Sequence, residues 1–137
     1  MIQAIASLMQ TFVLTFNRES RSVMVRRGEQ AMVKLIALVR KKPGMGRQAF
    51  ADYWLTRHAP LAAEIPGMRG YRINVAGDPG DLAPAPYDGS AEIWFDTRAA
   101  MQAGLASAQG LIAGNDTAHF TASIEFLVTD ETVVLPA

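Results

Sequence analysis

The chain predicts an α+β fold of the ferredoxin-like kind, on three observations. From Met32 onward the hydrophobic pattern alternates between strand and helix character in the order β-α-β-β-α-β. Proline falls between these segments or at their ends, with one exception at Pro60. The apolar fraction is 50% and the 13 basic residues balance 13 acidic ones, an ordinary globular composition that excludes disorder. The expected architecture is a four-stranded antiparallel sheet with two helical segments on one face.

"MVKLIALVRKKPGM" gives the first strand, at 32–40, stopped by Pro43-Gly44. Phe50, Tyr53, Trp54, Arg57 (by its stem), His58, Leu61 and Ile65 then recur at the spacing of a one-sided helix, 47–64, stopped by Pro66-Gly67. "MRGYRINVA" (68–76) is a strand with Tyr71, Ile73 and Val75 on one face and Arg72 and Asn74 on the other. Gly77, Pro79, Gly80, Pro84 and Pro86 make 77–86 a loop. In the next strand, 89–95, Ala91, Ile93 and Phe95 alternate with Glu92 and Trp94. Asp96 and Thr97 cap a second helix, 97–107, followed by a helical piece broken at Gly110 and Gly114 (108–120). "TASIEFLVTDETVVLP" is the last strand, expected to bend or double around Thr129-Asp130. Two helices on one face leave the sheet's other face bare, and a second copy of the chain is its simplest cover.

Residues 1–31 read differently. "MIQAIASLMQTFVLTF" lacks the positive start of a signal peptide, and its 16 residues fall short of the roughly 20 a membrane span needs. "GEQAM" precedes Met32, and Gly-Glu codons can spell a ribosome-binding sequence; we expect Met32 to be the native start and 1–31 to be upstream sequence. The mass of the protein made from its own promoter tests this, a species starting at Met1 refuting it. The alternative is an N-terminal helix packed on the domain or on a neighbour.

Several chemistries are excluded. Zero net charge removes the electrostatic case for nucleic acid or an anionic membrane as partner. The absence of cysteine removes disulfides, thiolate catalysis and Cys-ligated metals, and fits a reducing, cytoplasmic setting. No HxxxH or HxxE spacing supports a metal site, and no GxSxG elbow supports a nucleophilic serine.

What remains is His58. Trp54 lies one turn before it on the same helix face, and Pro60, having no N–H, loosens the turn around Thr56. That opens space between helix and sheet beside a ring that titrates near neutrality. The plainer reading is a core histidine bonded to a carbonyl. Asp52 and Glu64 lie on the solvent side of the helix, so a partner for the ring is expected from the sheet: Tyr71, Asn74 or Glu92. His119 is expected at a surface corner.

"RQAFADYWLTRHAPLAAEIPGMRGYRIN" resembles the EthD family of the dimeric α+β barrel superfamily through Phe50, Tyr53, Trp54, His58, Pro60, Leu61, Pro66, Gly67, Gly70 and Tyr71. "PYDGSAEIWFD" is similar to a second family block through Asp88, Gly89, Ala91, Glu92, Trp94 and Phe95. Gly46 stands where that family commonly has a Ser or Thr cap, and residues 1–31 have no counterpart. The resemblance implies a homodimer with sheets face to face. It also implies an apolar or aromatic small molecule between helices and sheet, and chemistry without a cofactor. The family's namesake accompanies ethyl tert-butyl ether degradation beside a cytochrome P450 system. Relatives include polyketide-processing dehydratases and oxygenases and methylmuconolactone isomerases. On that footing His58 is the expected catalytic residue and Tyr53, Trp54, Tyr71, Glu92 and Trp94 the expected substrate-binding ones. A carrier or accessory protein for an oxygenase is the alternative. Haem ligation by the histidine, known in the superfamily, has no second signature in the chain.

Overall fold

The computed structural model describes residues 32–137; the expectations for residues 1–31 lie outside it. Four strands, β1 (Val33–Lys41), β2 (Met68–Val75), β3 (Gly89–Phe95) and β4 (Thr121–Asp130), form one antiparallel sheet in the order β2-β3-β1-β4. Between β1 and β2 run α1 (Arg47–Tyr53), a π-helical turn (Trp54–His58) and α2 (Ala59–Ala62). Between β3 and β4 run α3 (Arg98–Ala106), α4 (Ala108–Asp116) and a 3₁₀ turn (Thr117–His119). This is the expected ferredoxin-like α+β order.

The register sorts the strand residues into two faces. Val39 pairs Gly89 and Ala37 pairs Ala91, and these face the helices together with Tyr71, Ile73 and Val75. Phe50, Trp54 and Phe120 close over them, all but absent from solvent. Lys34, Ile36 and Leu38 take the opposite face with their register partners Trp94, Glu92 and Ser90. Leu127, opposite Ile36, is 52% exposed there.

The turn that Pro60 is expected to loosen is π-helical. The Ala59 N–H reaches back to the carbonyl of Trp54, five residues earlier, which is the π-helical bond. The wider turn shifts the buried stripe: Phe50, Trp54, His58 and Ala62 are buried at four-residue intervals. Arg57 is exposed and Leu61, expected on the stripe, is 37% exposed. An uninterrupted 3.6-residue period would have brought Leu61 inward; the extra residue in the turn carries Ala62 there instead.

Other boundaries follow local chemistry. Gly46 starts α1 with no side-chain cap, whereas the Thr97 hydroxyl accepts from the Ala100 N–H at 3.0 Å to start α3. The break between α3 and α4 falls at Ser107, where the two pieces were expected to part: its hydroxyl donates to the Gly104 carbonyl at 2.5 Å and accepts from the Gly110 N–H at 3.1 Å. Gly110 and Gly114 do not interrupt α4. β4 is one continuous strand, and no further strand follows Asp130 among the described residues.

Candidate functional site

The layer between helices and sheet is built around Phe120, at the foot of β4. Its ring lies 4.9 Å from that of His58, 5.4 Å from Tyr53 in a stacked arrangement, 5.8 Å from Phe50 and 5.9 Å from Trp54. Trp54 can lie flat on the sheet because β3 begins with glycine. A Cβ at Gly89 would sit 2.6 Å from the indole and 2.6 Å from the Asn74 carbonyl. Asp88 fixes that corner: its carboxylate accepts the Lys41 N–H at 2.8 Å, and its own N–H donates to the Val39 carbonyl at 2.8 Å. The Asp-Gly pair of the second sequence block is thus a clamp and a seat for the tryptophan.

Into this layer the π turn delivers His58, 8% exposed. Its partner is not from the sheet. Nδ1 lies 3.0 Å from Oδ2 of Asp116, the last residue of α4, while Tyr53 donates its hydroxyl to Oδ1 of the same carboxylate at 2.8 Å. Among the described residues, Nε2 makes no hydrogen bond. Burial pushes the His58 imidazole below its ordinary range, partly opposed by the hydrogen bond and the charge of Asp116. Burial likewise raises the Tyr53 phenol, with Asp116 adding to the rise. Tyr71, half-buried on the helix-facing side, is also pushed up by burial, countered by the Trp54 indole N–H.

The sequence-derived candidates therefore divide. Tyr53, Trp54, His58 and Tyr71 share the helix-facing layer. Glu92 and Trp94 do not join them within one chain, because their strand positions point to the opposite face. Asn74 is also on that face, donating to Glu92 at 3.3 Å. There Lys34 pairs with Glu92 at 2.8 Å and with Glu131, and the Trp94 N–H donates to Glu131 at 3.3 Å. The Lys34 ammonium and the Arg72 guanidinium lie 4.6 Å and 5.0 Å from the Trp94 ring centre. Gly70 admits that ring, a Cβ there meeting it at 3.0 Å. Asp116 escaped the sequence reading because it lies 58 residues from His58, in a piece whose glycines suggested a broken helix. His119 is exposed, as expected. No group of three metal-ligating side chains occurs among the described residues.

Fold and site together define a ferredoxin-like α+β protein with one buried Tyr–Asp–His cluster under an aromatic layer. The EthD domain model matches residues 42–124, and the chain belongs to the EthD family. A solved EthD-family protein from Bacillus halodurans is 28% identical, covering 74% of this chain and 99% of its own, with a TM-score of 0.63. A Rhodococcus erythropolis protein, described as an uncharacterized 11.0 kDa protein in the thcB-thcC intergenic region, is 29% identical over 89 residues, 64% of this chain and 85% of its own. A dimeric ferredoxin-like protein of unknown function from Thermobifida fusca shares the fold at 20% identity, covering 77% of this chain and 97% of its own, with a TM-score of 0.60. No helix among the described residues is long and apolar enough to cross a membrane.

Proposed function

We propose that this EthD-family chain is a cytoplasmic homodimer that binds an apolar or aromatic small molecule beside His58 and moves a proton on it without a cofactor. The observation that carries the reading is the His58–Asp116 hydrogen bond inside an aromatic layer. The carboxylate accepts the Nδ1 proton, which leaves the Nε2 lone pair as the basic site of a neutral imidazole. Burial favours that neutral form at pH 7. A proton taken by Nε2 is stabilised through Asp116, so the same ring can return it to another atom of the substrate. An unsaturated lactone rearranging, or a polyketide-like alcohol losing water, fits that chemistry. The dimer reading is supported by the half-buried Ile36 and Leu38 and the exposed Leu127 on the open sheet face, and by the dimeric fold neighbour.

Incubation in D₂O with a panel of unsaturated γ-lactones and β-hydroxy aryl ketones, followed by proton NMR, tests the reaction. Wild-type protein is expected to exchange or rearrange at least one member, and His58→Ala to lose about 10²–10⁴-fold of that rate. Equal rates in both proteins would refute the role of His58. Tight binding with no turnover by wild type would instead favour a carrier that hands its ligand to an oxygenase.

A further inference from the structure

Asp116 occupies an electrostatically poor position for a carboxylate. It ends the nine-residue α4, where the helix carbonyls and the macrodipole oppose negative charge. Two donors offset this, and they approach different oxygens from the other helical segment: the Tyr53 O–H on Oδ1 at 2.8 Å and His58 Nδ1 on Oδ2 at 3.0 Å. The side chains of His58 and Asp116 are only 10% and 12% exposed, so water screens the arrangement little. Tyr53 is also held by its ring, stacked on Phe120 at 5.4 Å, which aims the hydroxyl at the carboxylate before any ligand arrives.

We propose that Tyr53 is a positioning residue: by sharing Asp116 with His58, it sets how strongly that carboxylate retains a proton on the imidazole. The inference rests on the proposed role of His58 but is read out separately from it. A carboxylate that accepts a strong O–H bond has less negative charge available for its second donor. With the phenol in place the His58 ring stays a weak enough base to release its proton; without it, Asp116 would hold the imidazolium more firmly. The sequence resemblance had placed Tyr53 among substrate-binding residues, whereas its hydroxyl is bonded to Asp116. The other groups facing this cluster are Tyr71 from β2, His119 from the 3₁₀ turn, with its ring 6.0 Å from that of Tyr53, and Arg57 from the π turn, whose charge acts on the Tyr53 phenol.

Tyr53→Phe is the clean variant, since it keeps the stacked ring and removes one oxygen. The His58 ring can be followed by ¹H–¹⁵N NMR during a pH titration, its signals told from those of the chain's other histidine, His119, by their loss in His58→Gln. The His58 midpoint is expected to rise by about half a unit to one unit in Tyr53→Phe, as befits loss of a competing hydrogen bond. The acid limb of any turnover would shift to higher pH by the same amount. A lowered melting temperature with an unchanged His58 midpoint would overturn the proposal, leaving Tyr53 as a mere dock between helices. Should Tyr53→Phe fail to fold, Asp116→Asn gives the reciprocal reading: the Tyr53 phenol, followed by its ¹³Cζ signal, should ionise at lower pH, and an unchanged midpoint there would equally refute the coupling. If no compound is turned over, the reading of His58 fails while these titrations still decide the role of Tyr53.

Discussion

The two tryptophans of the chain use the same packing device on opposite faces of one sheet. Trp54 lies over Gly89 on the helix-facing side, and Trp94 lies over Gly70 on the open side. Around Trp54 the neighbours are rings and the few polar groups are bonded to each other, so each hydrogen bond alters a proton affinity. Around Trp94 the neighbours are Lys34, Arg72, Glu92 and Glu131, whose charges neutralise one another in partial contact with water. The same indole-on-glycine packing thus serves a dry layer in one place and a charged, coverable surface in the other. What the surroundings desolvate, rather than the motif itself, decides which of them can do acid–base chemistry.

The largest test of that contrast is Trp54→Ala, which empties a site in the middle of the aromatic layer. It should cost about 3–5 kcal/mol in urea unfolding, the range for a fully buried large aromatic. The glycines come next. Gly89→Ala drives a methyl into a backbone carbonyl and an immobile ring and is expected to cost about 1–3 kcal/mol. Gly70→Ala meets only the edge of Trp94 on the open face and should cost clearly less. Equal losses at the two glycines would show that the faces are equally rigid, and the comparison would fail.

A smaller effect is expected from pH. The folded-state pKa of His58 lies below the ordinary 6.5, so below that value the unfolded chain binds more protons than the folded one. Its contribution to stability is complete above about pH 6.5 and declines as pH falls through the folded midpoint. Chemical unfolding from pH 7 to 5 should show that decline in wild type and a flatter curve in His58→Gln. The smallest change is predicted for Lys34→Gln. Its partners are partly solvated, so the unfolding midpoint should move slightly at low salt and not at all at high salt.

Much of this was legible in the sequence. Strand and helix order, the buried side of the first helix, the loosened turn at Pro60 and the placement of Trp54 beside His58 all follow from local periodicity and from a proline that cannot donate. Even the separation of Glu92 and Trp94 from His58 was implicit, since they alternate with Ala91 and Phe95 along one strand. Grouping them with the histidine followed a shared family block, and side-chain parity overrules that. The shift of the stripe from Leu61 to Ala62 was not legible, because periodicity alone does not say that a turn will take five residues.

By itself, then, the sequence determined which segments fold as helix and strand, and it marked His58 as the residue to watch. Those are consequences of neighbours within one or two turns. Only the tertiary structure decided what His58 is bonded to. Asp116 reaches it because the sheet order brings the ends of two helical segments together, and nothing local in "GLIAGNDTAHF" announces that meeting. A hydrogen bond between residues 58 apart is set by topology, and with it the proton affinity on which the proposed chemistry turns.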